Sequence, residues 1–431
     1  MNYLTHEEVG LLTVVNSLSQ ISDVLDQFYQ NKEESSNTVR LHESTLGKDE
    51  LIEFTRAYLE GSITLGKYNK RYEEMAANRF AAQYCVSSNS GSSANLLAVS
   101  ALVQTGRLNK GDKVAVPSLA WSTTVFPLVQ YGLVPVFVDI DKYTFNIDLN
   151  KLREAIKPYD VKALMLIHTY GNPVDMDIVA DICEDYNLIL IEDTCESMGA
   201  TWRGMCVGSF GELSTFSSYF SHHICTLEGG LTTTSNKELY QVMLSIRSHG
   251  WTRGIDFDLS DIQGLDQIDP TFLFLYLGYN LRMSDPQAAM GCSQLPKLDD
   301  YIASRRRTAS LYIETISNSP ILNKHIRYMN TDSRGMSSWF GFPIFLKDKN
   351  YHELSSLRRY LLENRVESRP FLAGNFCLQP VSKRFKHFAD NLQEIKLFHA
   401  QSFALPCHQG ITEDDVRLTC SLIEYFFRQN Q

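Results

Sequence analysis

Between residues 85 and 193, short apolar runs alternate with segments of helical period, and this alternation leaves few folds open. The pattern predicts strands at Cys85-Val86-Ser87, Lys113 to Val116, Val134 to Val138, Ala163 to Ile167 and Leu188 to Ile191. Helices are expected between them, over Leu96 to Val103, Trp121 to Tyr131, Asp148 to Ile156 and Asp175 to Tyr186. Repeated strand–helix–strand units imply a mostly parallel sheet with helices on both faces. In such sheets the ligand lies beyond the carboxyl ends of the strands. Trp121, His168, Asp193 and a turn around His222 all follow expected strand ends and are candidates to converge.

The rest of the chain divides around this unit. Residues 1–45 read as a polar N-terminal extension with a docking helix over 2–30 and a linker after it. Residues 46–300 would form the large α/β domain, with further helices over 51–59, 71–84, 237–249 and 285–295 and a strand at 231–234. Residues 250–270 are polar and rich in Gly and Asp, a long surface excursion. A helix over 298–316 leads into a smaller α+β domain, residues 301–431. It carries a strand at 338–346, helices at 351–364 and 414–429, and a loop from Arg369 to Asn375. A net charge of −10 with interspersed signs argues against a nucleic-acid surface, and no apolar run reaches membrane-span length. The nine cysteines form no CxxC pair, and no signal peptide is recognisable, which points to free thiols in a reducing cytoplasm.

Two stretches carry chemistry. Ser88-Asn-Ser90-Gly91-Ser92-Ser93-Ala94-Asn95 opens an apolar helix, and its exposed backbone N–H groups suit a phosphate; an ordinary Ser or Asn N-cap explains it equally well. Ser217-Ser-Tyr-Phe-Ser-His222-His223-Ile-Cys-Thr-Leu-Glu-Gly-Gly230 places adjacent histidines in a tightening turn, a candidate acid/base site near neutral pH.

These segments, with Pro-Val-Phe-Val-Asp-Ile-Asp141, Ile-Glu-Asp193, Glu-Gly-Gly230 and Gly-Tyr-Asn280-Leu-Arg282, resemble the DegT/DnrJ/EryC1/StrS family of sugar aminotransferases over residues 50 to 430. The resemblance implies the fold-type I pyridoxal phosphate architecture: a mostly parallel central sheet plus a smaller C-terminal α+β domain. One position departs. Where the aminotransferases carry the cofactor-binding Lys, eight residues before the second Gly, this chain has His222. That substitution resembles the branch of sugar 3-dehydratases. Imidazole cannot tether pyridoxal 5'-phosphate, so the resemblance implies a freely held pyridoxamine 5'-phosphate form. His222, with a pKa near operating pH, would be the base. The substrate would be a nucleotide 4-keto-6-deoxy sugar, GDP-linked in preference to CDP-linked, losing its C3 hydroxyl. L-glutamate would restore the amine form, and ammonia would be released.

The same resemblance implies roles for other residues. Ser92, Ser93 and Ser217 would take the cofactor phosphate. Trp121 would stack on the ring, Asp193 would pair with its nitrogen, and Glu196 would approach the ring hydroxyl. Asn280 would reach the phosphate from a neighbouring subunit, implying a homodimer with a shared active site. His249, Arg253 and Arg282 resemble groups near substrate or glutamate carboxylates, Thr64 and Gly66 part of a nucleotide-binding loop, and Arg369 and Asn375 a substrate-facing segment. A related branch holds an iron–sulfur cluster. Cys195 falls near one of its ligand positions, but the segment following Trp251 lacks the other three, so no metal is expected. An aminotransferase tolerating His, and an inactive cofactor-binding regulator, are the competing readings.

Overall fold

The computed structural model describes residues 17–27, 38–260, 262, 264–347 and 351–429. The central sheet has seven strands: β1 (Tyr84–Ser88), β2 (Lys113–Pro117), β3 (Val134–Val138), β4 (Val161–Ile167), β5 (Ile189–Asp193), β6 (Leu213–Ser217) and β7 (Gly230–Thr234). Their spatial order is β1-β7-β6-β5-β4-β2-β3. β7 runs antiparallel to both of its neighbours, and the other pairings are parallel.

Strands β2 to β5 are apolar on both faces because both faces are covered. Val114, Met165 and Ile191 pack with Leu97 and Leu102 of the helix Gly91–Gln104. The alternate residues Ala115, Leu164 and Leu190 pack with Leu152, Ile156, Val179 and Ile182 of the helices Leu149–Tyr159 and Met176–Tyr186. The two-residue period therefore sends Glu192 and Asp193, at the end of β5, to opposite faces. The helix Leu298–Asn318 connects the large sheet to a second, four-stranded antiparallel sheet. Its first turns bury Leu298 and Ile302 beside Tyr72 and Phe80, and its later turns bury Tyr312 and Ile316 beside Phe342 and Phe403. The boundary expected at 300/301 lies inside this continuous helix.

Several local expectations shift. Residues 17–27 are helical, while the rest of the helix expected over 2–30 lies outside the described residues. The helix expected over 71–84 runs instead from Lys67 to Arg79. Its start is set from elsewhere in the chain. The Asp285 carboxylate accepts from the N–H groups of Gly66 at 3.0 Å, Tyr68 at 3.3 Å and Asn69 at 2.9 Å, capping a helix that has no local side-chain cap. The strand expected at 338–346 begins only at Phe342, because Trp339 takes a left-handed φ of 48°. The excursion after Gly250 folds back on itself, with bridges Ser248–Asn280 and Trp251–Phe274. Among the described residues no helix is long and apolar enough to cross a membrane.

Because β7 is antiparallel, its first residue arrives at the edge where the parallel strands end. Gly230 stands opposite Ser88 on β1 and Ser217 on β6. A Cβ there would lie 2.2 Å from the Ser90 carbonyl oxygen and 2.8 Å from the Gly91 nitrogen, both backbone. Gly230→Ala should therefore destabilise the protein by about 1–3 kcal/mol, read as a lowered midpoint in urea denaturation. An unchanged midpoint would show that the helix start is not packed as closely as described.

Candidate active site

The helix Gly91–Gln104 begins against the ends of β6 and β7. Ser90 is its N-cap, accepting from the Ser93 N–H at 3.1 Å. A Cβ on Gly91 would meet the Ser217 Cβ at 2.6 Å, so only glycine lets the helix start close on β6. Ser92 and Ser217 face a cleft of about 580 Å³ at the carboxyl edge of the sheet. The ordinary cap is thus realised, at a turn that lines the cleft. Ser93 faces elsewhere in the same turn. Its hydroxyl donates to Asn89 Oδ1 at 2.6 Å and contacts Ser90 Oγ at 3.1 Å, and it does not line the cleft.

Asp193 enters the cleft from the end of β5. Its Oδ2 accepts from Asn95 Nδ2 at 2.8 Å and Thr124 Oγ1 at 2.7 Å, and its Oδ1 accepts from the Cys195 N–H at 3.1 Å. Asn95 is itself fixed by Thr215, whose hydroxyl donates to Asn95 Oδ1 at 2.6 Å. The carboxylate is held rigidly with its open side to the cleft. Sequence reasoning passed over Asn95, Thr124 and Thr215 as individual residues. The available signal was Asn95, a large polar side chain one turn into a mostly apolar, buried helix. Glu192 takes the other face and a structural task. It accepts from the N–H groups of Gly208, Phe210 and Gly211 and pairs with His168 Nε2 at 3.0 Å, so His168 does not reach the cleft.

Trp121, the residue before the helix Ser122–Gln130, stands 54 % exposed in the cleft wall rather than in the core. Its ring is thus left in solvent beside the cleft rather than packed away.

His222 lines the same cleft, and its Nδ1 lies 2.7 Å from the Cys195 carbonyl oxygen. A carbonyl only accepts, so Nδ1 carries the proton and the Nε2 lone pair is left free. The expected pKa near neutrality is corrected. Burial, with Arg369 and Arg305 nearby, pushes His222 down to about 4 against the pull of the Cys195 carbonyl, so the imidazole is a neutral base at pH 7. His223 points away. It is fully buried, with Nε2 3.1 Å from the Ser338 carbonyl, and it does not line the cleft.

Glu196 and Arg369 complete the wall. Arg369 Nε donates to the Tyr170 hydroxyl at 2.9 Å, and its guanidinium lies over the Tyr170 and Phe340 rings at 5.5 and 5.3 Å. Burial pushes Glu196 up to about 7, against the opposing effect of Arg369. Phe340 lies in the cleft wall and the buried Tyr170 ring backs it; they are placed by a left-handed turn at Tyr170, φ 52°, and by the loop after Trp339, φ 48°.

The remaining expected residues do not join this cleft. Gly66 gives its N–H to Asp285, and the Thr64 carbonyl accepts from the Asp285 N–H at 3.0 Å. Asn375 caps a short turn, accepting from the Cys377 N–H at 3.0 Å. His249, Asn280 and Arg282 form a separate surface patch, with Arg282 Nε on Asn280 Oδ1 at 2.9 Å and Arg282 Nη2 at 3.5 Å from His249 Nε2. Arg253 lies over the Trp251 ring at 5.4 Å, in the neighbouring excursion.

A model of the DegT/DnrJ/EryC1/StrS aminotransferase family matches residues 44–424. A GDP-4-keto-6-deoxy-D-mannose 3-dehydratase of Yersinia pseudotuberculosis is 42% identical over 341 residues, covering 78% of this chain and 85% of that protein. A crystal structure of GDP-4-keto-6-deoxymannose-3-dehydratase with a trapped PLP-glutamate geminal diamine superposes with a TM-score of 0.82 at 34% identity, over 89% of this chain and 100% of the other. A mutant of that enzyme with bound GDP-perosamine superposes with a TM-score of 0.83 at 35% identity, over 90% of this chain and 100% of the other.

The Glu196 environment has a consequence for stability. An unfolded Glu titrates near 4.5 and the folded one near 7, so between these values the folded state holds an extra proton. Stability from this group is present below about pH 4.5 and is lost as pH rises through 7. Glu196→Gln should match the unaltered protein near pH 5 and be more stable at pH 8 by on the order of 1–2 kcal/mol, allowing for solvent in the cleft. Cofactor-free thermal melts at the two pH values check this; an equal difference at both would refute it.

Proposed function

The chain belongs to the DegT/DnrJ/EryC1/StrS aminotransferase family, and from that premise we propose that it is a pyridoxal/pyridoxamine phosphate-dependent nucleotide-sugar 3-dehydratase. It removes the C3 hydroxyl of a GDP-4-keto-6-deoxy sugar to give a 4-keto-3,6-dideoxy sugar, converting L-glutamate to 2-oxoglutarate and releasing ammonia. The observation that carries this reading is His222: an imidazole, oriented by the Cys195 carbonyl, in a cleft that also holds Asp193, Trp121, Ser92 and Ser217. Among the described residues lining the cleft there is no lysine, which disfavours the aminotransferase reading. The inactive-regulator reading is disfavoured by the fixed Asp193 carboxylate, whose three donors hold a geometry that binding alone does not need.

The cleft fits the cofactor. The helix start with Ser92 and Ser217 presents N–H and hydroxyl donors to a phosphate. Asp193 offers a carboxylate to a pyridinium nitrogen, and Trp121 a ring face. The chemistry the cofactor supplies is an amine for the C4 ketone and an electron sink for departure of the C3 hydroxyl. The protein's part is positional and protonic. Asp193 would keep the ring nitrogen protonated. Neutral His222 takes up a proton at Nε2, and because burial disfavours imidazolium, that proton is readily passed to the departing oxygen. Arg369 and Glu196 face the same space and suit the anionic and hydroxyl groups of the bound molecules.

We further propose a homodimer in which the His249–Asn280–Arg282 patch and Arg253 complete the cleft of the second subunit. Their separation from their own chain's cleft and their mutual contacts support this. Thr64, whose side chain is exposed, and the neighbouring Gly66 would serve the nucleotide. Nine unpaired cysteines support a cytoplasmic location.

Incubation with pyridoxamine phosphate, L-glutamate and GDP-4-keto-6-deoxymannose, followed by mass analysis of the sugar, tests the reading. Loss of one oxygen is expected; gain of an amino group means an aminotransferase, and no turnover a binding protein. His222→Asn should keep cofactor affinity and lower dehydration by about 10²–10⁴-fold or more. Near-normal turnover in that variant would remove His222 from the chemistry.

A further inference from the structure

If His222 is the base, it has no covalent link to the cofactor, and the turn that carries it must be held by protein contacts alone. That turn is gripped on both sides by one segment outside the parallel sheet. Residues 38–41 run along the C-terminal sheet's connections. The Val39 N–H donates to Arg365 O at 2.8 Å and its carbonyl accepts from Glu367 N at 2.9 Å. The Arg40 carbonyl contacts His408 Nε2 at 3.0 Å, and the Leu41 N–H donates to Glu367 Oε2 at 2.8 Å.

Beyond this anchor the segment turns to the catalytic turn. The His42 ring meets Phe220 edge to face, 4.6 Å between centroids at 82°. Phe220 in turn meets Tyr219 at 4.8 Å, and Tyr219 meets His222 at 6.0 Å. On the other side, the Thr45 hydroxyl donates to Gln294 Oε1 at 2.6 Å. The same oxygen accepts from the Cys225 N–H at 3.0 Å, and Gln294 Nε2 returns to the Thr45 carbonyl at 2.9 Å. Gln294 is fully buried, so these bonds are not exchanged with water. One contact falls two residues before His222 and the other three residues after it.

We propose that residues 42–45 are a clamp on the catalytic turn, with His42, Thr45 and Gln294 as positioning residues for His222. The clamp replaces, with a ring edge and a buried amide, the fixation that a covalent tether gives an amine at this place. It rests on the reading of His222 as base only for its effect on turnover; its effect on the turn is independent of that reading.

Hydrogen exchange and kinetics on the full chain test it. In Thr45→Val, amides of residues 219–226 should exchange about 10-fold faster or more without cofactor, while those of β5 stay unchanged. In the loaded enzyme, kcat should fall about 10-fold with KM and cofactor Kd held within about 2-fold. His42→Ala should act in the same direction, and His42→Phe, which keeps the ring edge, should restore kcat. Unchanged exchange across 219–226 in both Thr45→Val and His42→Ala overturns the clamp. So does a parallel fall of kcat, cofactor affinity and thermal midpoint, which would mark a role in folding alone. Faster exchange in the variants, with no dehydration even by the unaltered enzyme, would uphold the clamp and sink the function proposed above.

Discussion

The site depends on the last turn of chain after β5. Asp193 ends that strand, and two residues later the Cys195 carbonyl fixes the tautomer of His222. One short segment thus sets both the Asp193 carboxylate and the orientation of the His222 imidazole. The Cys195 N–H also holds Asp193 Oδ1, so its backbone serves both groups through donor and acceptor. A shift of this segment would disturb the two together, which is why it is buttressed by Asn95, Thr124 and Thr215 from three other elements.

The electrostatics follow from the same enclosure. Burial holds His222 neutral and Glu196 partly protonated near pH 7. Arg369 acts on both, lowering each, while its own charge rests against two aromatic faces and a phenol. The cleft therefore carries a free base lone pair, a carboxyl able to donate, and a guanidinium without a close carboxylate partner in its wall. This is a site poised for anionic guests that bring protons to be moved.

Much of the central sheet was legible because its strands alternate between two buried faces. The pairs Val114/Ala115, Leu164/Met165 and Leu190/Ile191 are apolar on both sides, and such runs have few other uses. Ser92, Trp121, Asp193, Glu196, Ser217 and His222, which line one cleft, were legible through the segments around Gly91, Asp193 and Gly230. What remained hidden was set by distant parts of the chain. The Lys67 helix starts where Asp285 caps it, 219 positions from Gly66. Phe340 reaches the cleft after a left-handed Trp339, and Tyr170 backs Arg369 from a left-handed turn, backbone states that no propensity announces. Thr45 and Gln294 meet across 249 positions, and neither looks exceptional in its own neighbourhood. His249, Asn280 and Arg282 cluster away from the chain's own cleft, which residue order does not show.

The antiparallel return of β7 has a further reach. Ser217 and Gly230 are register partners, so the loop between them has both ends pinned by ladder hydrogen bonds. Twelve residues lie between these rungs, enough for a change in loop length to be absorbed without altering the register of β6 on β7. What the rungs fix is where the excursion leaves and re-enters the sheet; its path in between is drawn by contacts such as His222 on the Cys195 carbonyl and the Cys225 N–H on Gln294.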